Sequence, residues 1–533
     1  MRKIILPTKF LLLALIFSSQ LTLPINNKVF PQATSENVAG QWAIIQTEIE
    51  KFYQEGELQA ALNKAQKAVA MAETAFGNSS LEAISSLLLQ AQIHSELDQL
   101  EEANQIYQTA LETTVSGYGE NDSTTLSVLD IYGQFLNSID PEMAEPILTE
   151  ALLLTNKDDP QLAYRMKALG LNLNEMGKID EAEKMLNESL KVFQTVIGER
   201  DAETLATMAA IAKLYMSQGK LKPAKKLFEK ALPLMLEVLD DKNLLTLESK
   251  ENLGEIFRQQ GSFSQAEKIF QETITAATAE YGNEEQLVIQ AKSHLAQLYE
   301  DTGKLKKALA LHQQVYETDL AMLGENHPNT AGDLNNLASV RRRLGDYQMA
   351  ENLFRKSLKV MVSALGEDSP QSVSVMNNLA LLLENQGLYD EAEPLFKKAH
   401  TISENIQGER HPTTLALLNN LAFLYESQGD FERSELNYRK VIQLNNEVFG
   451  EAHSNTLSNQ NNLAYLFLRA ERFDEARPIF TKVHNLWKEK LGENHQNTLK
   501  ALNNLGRVQK SLGNLDEAEK LLTAALNGRK KVF

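Results

Sequence analysis

Glycine recurs along this chain at a fixed step. Gly177, Gly219, Gly261, Gly303, Gly345, Gly387, Gly429 and Gly513 stand on marks 42 residues apart, with Glu471 on the one mark that lacks glycine. Five residues past each mark stands a small residue: Ala182, Ala224, Ala266, Ala308, Ala350, Ala392, Ser434, Ala476 and Ala518. Upstream, Gly56 with Ala61 and Asp98 with Ala103 keep the same spacing. Ala144 then follows Ala103 by 41 residues and Ala182 follows by 38, so one repeat near 141–177 is shortened. The marks count twelve units. A register held this long requires a repeat architecture in place of the several globular domains that the chain length would otherwise suggest.

Each unit carries two apolar patterns of helical period on either side of its glycine. In the unit around Gly429, Leu421, Ala422, Leu424 and Tyr425 form the first stripe; Phe431, Leu436, Tyr438 and Val441 form the second. The glycine suits a helix end where the backbone turns through positive φ. Asp180, Asp390 and Asp516 precede Glu183, Glu393 and Glu519 by three residues, which predicts a capping box on the second helix. The small residue after the turn lets the two helices approach closely. Units join through a second motif. Leu323–Pro328 recurs as Leu365–Pro370, Gln407–Pro412, Phe449–Ser454 and Leu491–Gln496. Its glycine ends one helix, and its proline suits the first turn of the next, where a missing N–H costs nothing. One hairpin cannot bury its own apolar face, so neighbours must stack into a continuous core. The expected fold is all-α: a right-handed α-solenoid of about twelve helix hairpins over residues 34–533, with first helices lining a concave surface.

Composition agrees. The hydrophobic fraction of 43% supplies a core, and 13 prolines are few for this length. The formal net charge is −18, from 71 acidic and 53 basic residues. That excess repels phosphate backbones and anionic lipid, which argues against nucleic acid as a partner and leaves membrane contact to the amino terminus alone. There are no cysteines, so disulfides, thiolate metal sites and cysteine nucleophiles are excluded.

The amino terminus differs from the rest. Arg2, Lys3 and Lys9 precede an apolar run from Phe10 to Phe17, followed by a polar stretch and by Gln32-Ala33-Thr34. The run is shorter than the roughly 20 residues of a bilayer span. Residues 1–33 read as a secretory signal peptide, cleaved near Ala33, or as an uncleaved anchor. Export to the periplasm or medium is expected; a cytoplasmic protein is the alternative.

The motif Asn-Asn-Leu-Ala-x-Leu followed by the turn glycine, Tyr/Phe-x-x-Ala-Glu and the Gly-Glu-x-His-Pro join resembles the tetratricopeptide repeats of kinesin light chains. The likeness is strong from about Asn326 to Leu526 and weaker, but in register, back to about Ser35. It implies a helical scaffold that binds other proteins or peptides, with no cofactor and no catalytic residues. In kinesin light chains the concave groove takes extended cargo peptides, and paired asparagines bond the peptide backbone. The matching residues are Asn335, Asn336, Asn377, Asn378, Asn419, Asn420, Asn461, Asn462, Asn503 and Asn504. An amide side chain both donates and accepts, so a row of them can read a backbone without selecting its side chains. The opposing reading has them bonding between adjacent repeats. Nothing outside the repeats sustains heptads, so a motor-adaptor role does not carry over; an assembly or regulatory adaptor remains the alternative to an exported scaffold.

Other features compete for chemistry. Arg341, Arg342, Arg343, Lys500, Arg507 and Lys510 are first-helix cations suited to acidic side chains or a terminal carboxylate, or else plain solvated charge. His327, His411, His453 and His495 hold equivalent loop positions. Equivalent positions lie a helix layer apart, too far to share a zinc ion, so they are expected to cap helix starts. Gly-Lys at Gly177, Gly219 and Gly303 lacks the rest of a phosphate loop. Trp42 and Trp487 are expected to pack in the core. The last repeat has no further polar helix over its outer side, which makes self-association an expectation.

Overall fold

The computed structural model describes residues 32–532. The apolar start, read above as signal or anchor, lies outside the described residues except for Gln32 and Ala33, which open the first helix. Among the described residues there are 24 helices and no strand. No described helix is long and apolar enough to cross a membrane.

The helices form twelve hairpins in two compact units, one ending at Asp240 and one running from Asp241 onward. In the first unit the pairs are α1 (Gln32–Gln54) with α2 (Leu58–Phe76), α3 (Leu81–Glu96) with α4 (Leu100–Tyr118), and α5 (Ser123–Asn137) with α6 (Pro141–Leu154). The shorter α7 (Leu162–Glu175) with α8 (Ile179–Val196), then α9 (Ala202–Ser217) with α10 (Leu221–Val238), complete it. The second unit opens with α11 (Leu244–Gln259) and α12 (Phe263–Tyr281), α13 (Gln286–Asp301) and α14 (Leu305–Leu323), and α15 (Pro328–Arg343) and α16 (Tyr347–Leu365). It continues with α17 (Pro370–Asn385) and α18 (Tyr389–Gln407), then α19 (Pro412–Gln428) and α20 (Phe431–Phe449). The last pairs are α21 (Ser454–Arg469) with α22 (Phe473–Leu491) and α23 (Gln496–Ser511) with α24 (Leu515–Val532). Within each unit the first helices of successive pairs touch one another, so they form one continuous face.

The repeat signals act as expected at the turns. The small residue after each mark is fully or almost fully buried between its two helices. The marks have positive φ, including Asp98 and Glu471 where glycine is absent; the exception is Ile139, five residues before Ala144. Behind these small residues a large side chain fills the hairpin: Phe228, Phe270, Phe354, Phe396, Tyr438 and Phe480 lie at one register and are fully buried. Continuous apolar clusters then run across neighbouring pairs, as from Ala331 to Tyr425 and from Leu415 to Val508. Leu436 departs from the predicted stripe and is 70% exposed. It lies two residues, or about 200° around an α-helix, from buried Tyr438, so both cannot face the core.

The join motif is a compact device. At Gly408 the backbone has φ 87° and ψ 162°, a region reserved for glycine. The histidines cap as expected: Nδ1 of His327, His411, His453 and His495 accepts from the backbone N–H two residues on, at 3.1–3.2 Å. Proline follows as the first helical residue in α15, α17 and α19. The hydroxyl of Thr456 donates back to the carbonyl of Gly450, and Ser372 does so to Gly366.

The capping boxes of α8 and α18 do not form. α8 starts at Ile179 behind Lys178, with no side-chain cap, and α18 starts behind Leu388 in the same way. Asp180 and Asp390 instead sit in the first turn, where the helix dipole favours negative charge. The glutamate three residues later serves the next hairpin. Glu183 accepts from Tyr215 at 3.1 Å and from Lys220 at 3.1 Å; Glu267, at the same register, accepts from Tyr299 and Lys304. Glu393 likewise accepts from Tyr425 and Gln428.

Candidate groove along the first helices

The predicted asparagines lie on α15, α17, α19, α21 and α23, two adjacent residues per helix near its middle. Both readings of them are partly realised. The second asparagine of a pair donates to the first asparagine of the preceding hairpin: Asn378 to Asn335 at 2.9 Å, Asn420 to Asn377 at 2.8 Å and Asn462 to Asn419 at 3.1 Å. These rungs tie first helix to first helix, a structural task. The first asparagine in turn leans on its own neighbour at 3.4–3.5 Å. Yet Asn335, Asn336, Asn377, Asn378, Asn419, Asn420, Asn462 and Asn503 are only half-buried. A primary amide has two N–H donors and two acceptor lone pairs, so one rung leaves capacity to bond a ligand. Asn461 and Asn504 are buried, and the rung between them is not made. Asn461 is 2% exposed and its Oδ1 has no partner among the described residues. Those two belong to the packing between layers more than to an open face.

The same rung recurs two steps upstream with different chemistry. Glu251 on α11 and His294 on α13 occupy the register of Asn335 and Asn378, and the imidazole Nδ1 meets the carboxylate there. Glu251 is 1% exposed. Burial alone would lower the His294 pKa, but the hydrogen bond and charge of Glu251 prevail and raise it. A search for paired asparagines passes over this rung; the 42-residue register finds it.

A second ladder runs near the ends of the first helices. Arg258 grips Glu255 at 2.7 and 2.8 Å and also bonds Asp301 on the next first helix. Arg343 bonds the carboxylate and the carbonyl of Glu300 at 3.0 and 2.7 Å. Arg342 donates to Asn385 at 2.8 Å, Ser427 to Glu384 at 2.6 Å and Arg469 to Glu426 at 3.1 Å. Arg341 pairs with Asp346 at 2.9 Å. Arg342 and Arg343 are therefore spent on joining hairpins and Arg341 on the turn of its own hairpin, so the run is neither a free clamp nor plain solvated charge. Lys500, Arg507 and Lys510 on α23 are exposed and make no ion pair among the described residues; Arg507 lies over the Tyr465 ring at 5.4 Å.

The remaining candidates are structural. Trp42 packs on the core of the first hairpins and donates to Ser86 at 3.0 Å, while Trp487 is buried in the second unit. Among the described residues no cluster of three or more histidine, aspartate or glutamate side chains is arranged to hold a metal.

What emerges in each unit is a stack of hairpins whose first helices share a polar, partly open face cross-tied between layers. Comparison with known proteins agrees with this architecture. The tetratricopeptide repeat model matches residues 159–237, 203–279, 245–321, 287–363, 330–387, 371–447 and 452–531. No curated protein sequence matches. Among solved structures, BtubC (BKLC) from P. vanneervenii is 24% identical, covering 43% of this chain and 91% of that one, with a TM-score of 0.36. A kinesin-light-chain-like array of nearly identical TPR-like repeats from Podosopora anserina is 22% identical over 38% of this chain and 97% of its own, at TM-score 0.33. A Rap protein, solved in complex with Competence and Sporulation Factor, covers 70% of this chain and 99% of its own at 17% identity and TM-score 0.50, a likeness of fold. Repeats of this kind are scaffolds for protein–protein interaction, stacking into extended surfaces that other chains occupy. The match spans most of the chain, which belongs to the tetratricopeptide repeat family.

Proposed function

We propose that this protein is a non-enzymatic scaffold, exported from the cytoplasm, that holds extended peptide segments of other proteins along its first helices. The supporting observation is the asparagine ladder. Four consecutive first helices, α15 to α21, are joined by three amide rungs whose members remain half-exposed with donors and acceptors to spare. An extended backbone presents donors and acceptors at a regular spacing and pairs with such a row whatever its side chains. The buried titratable groups support a binding role over a catalytic one. Glu251 bonds His294 and Glu426 bonds Arg469 across hairpin interfaces, and Glu300 bonds His312 inside one hairpin.

The test is Asn378→Ala, Asn420→Ala and Asn462→Ala together. Peptides tiled from proteins captured on the mature chain are measured against wild type and variant by titration calorimetry. Loss of peptide affinity with helix content retained supports the groove; wild-type affinity in the triple variant rejects it. Localisation is tested separately by fractionating cells that carry a carboxy-terminal tag. A soluble, full-length cytosolic product rejects export and favours a cytoplasmic adaptor.

A further inference from the structure

One hairpin of the second unit departs from its neighbours at every interface that matters. At the register where other hairpins bury Val375, Leu417 and Ala501, the first helix α15 buries Asp333. At the register of Ala277, Met361 and Trp487, the helix packed before it, α14, buries Asp319. The two carboxyls lie within hydrogen-bonding reach, at 6% and 8% exposure for Asp319 and Asp333. Asp333 Oδ2 has no other partner among the described residues. Two carboxylates bond each other only by sharing a proton, and a dry interior does not tolerate both charges. On the other side of the same hairpin, His294 replaces the asparagine of the ladder and meets Glu251. Between them, His312 replaces the buried phenylalanine that fills most hairpins and reaches Glu300 at 3.1 Å. The pair α13–α14 is thus bounded on both faces by groups that titrate, where its neighbours use amides and hydrocarbon.

We propose that α13–α14 is a proton-dependent joint: it is held shut while Asp319 and Asp333 share a proton and His294 is charged, and it loosens as those protons leave. The groups acting on the carboxyl pair are the two aspartates themselves and His327 of the following loop. Those acting on His294 are Glu251, Glu255 and Arg258, all from α11. Both sites push the same way. Burial and then the Asp319 charge raise the Asp333 pKa to about 8, and the His294 pKa is raised as described above. A group whose pKa is raised on folding binds more protons in the folded state. Its stabilisation is complete below the unfolded value, about 3.9 for aspartate and 6.5 for histidine, and is lost as pH rises through the folded one. The joint therefore weakens on the alkaline side. Its opening would part α11 from α13 and α14 from α15, upstream of the amide rungs that begin at Asn335.

Hydrogen exchange read by mass spectrometry on the full chain, at about pH 6.5 and about pH 9 with intrinsic rates corrected, tests the joint. Opening of residues 286–343 is expected to rise by up to about tenfold per pH unit for each such group up to about pH 8 and to level off above it, while residues 370–511 hold their protection. The variant Glu251→Asn, His294→Asn, Asp319→Met, Asp333→Val adopts residues found at the same registers elsewhere, and its exchange should lose that pH dependence. Where it does not fold by circular dichroism, the near-isosteric Asp319→Asn with Asp333→Asn should remove the carboxyl part of the rise that ends near pH 8. A flat wild-type profile, a loss of protection spread evenly over the unit, or a step that survives in the neutralised variant overturns the proposal.

Discussion

Arg165 forks onto Asp130 across the shortened repeat, with its Nε 3.0 Å from both carboxylate oxygens and its Nη2 2.9 Å from one of them. The guanidinium is 4% exposed, and its remaining nitrogen reaches Thr155 at 2.8 Å and Asp159 at 3.4 Å. Those contacts fasten the turn between α6 and α7 onto α5, where four residues are missing from the 42-residue period. Burial holds the Asp130 carboxyl above the usual range even with the arginine present. Arg165→Leu therefore leaves a half-buried acid and two further acceptors, Thr155 and Asp159, unserved. A loss of about 3 kcal/mol is expected at neutral pH, smaller in acid, where Asp130 is neutral. Arg165→Leu with Asp130→Leu should recover much of it. Urea unfolding of the single and double variants at two pH values checks this; equal losses for both would refute the pairing.

All twelve hairpins and the small residues at their crossings were legible in the sequence, because glycine spacing and helical period are local properties. The rungs were not. Asn378 meets Asn335 at a separation of 43, one more than the repeat, because stacking offsets each first helix by a residue against the last. A periodicity of 42 carries no trace of that offset, so it cannot say whether an asparagine faces a ligand or a neighbour. Glu183 failed for a related reason. Asp-x-x-Glu fits a capping box and an inter-hairpin acceptor equally, and only the position of Lys178 as the first non-helical residue separates them. Glu251 with His294 went unseen because residue identity was followed in place of register.

Glu471 holds the turn between α21 and α22 at φ 60°, where eight other repeats of the regular register use glycine. A left-handed conformation costs a side-chain-bearing residue about 1–2 kcal/mol, partly offset by the greater freedom that glycine has when unfolded. Glu471→Gly is expected to stabilise the chain by about 0.5–1 kcal/mol. A thermal midpoint that falls in this variant would show that the Glu471 side chain contributes more than its backbone strain.

Gly408 sets the opposite case. Nothing lies within 4 Å of a side chain built on it, so space is not the constraint. The backbone is, since φ 87° with ψ 162° is a region closed to other residues. Gly408→Ala should cost about 1–3 kcal/mol and displace the cap at His411. Gly40→Ala, where space is also open and φ is ordinary, serves as the control and should not destabilise. Unfolding curves that rank the two alike would reject backbone strain as the cause.

The histidine caps make the chain sensitive to acid as well. Nδ1 of His453 and His495 accepts a backbone N–H, so the ring must carry its proton on Nε2 and stay neutral. Burial lowers the pKa of both. A histidine with a lowered folded pKa binds fewer protons folded than unfolded, so its contribution is present above about pH 6.5 and is lost as pH falls through the folded value. Another helix start in this register shows a cap that does not titrate: Ser369 accepts from the Ser372 N–H at 3.1 Å. Replacing both histidines as His453→Ser and His495→Ser should leave stability at neutral pH within about 1 kcal/mol of wild type, the worth of one cap. Between pH 7 and pH 5, roughly the span over which an imidazole changes charge, the wild-type thermal midpoint should fall further than that of the double variant. Parallel declines would mean that the imidazoles stay neutral in acid, or that the caps contribute nothing to the order of α21 and α23.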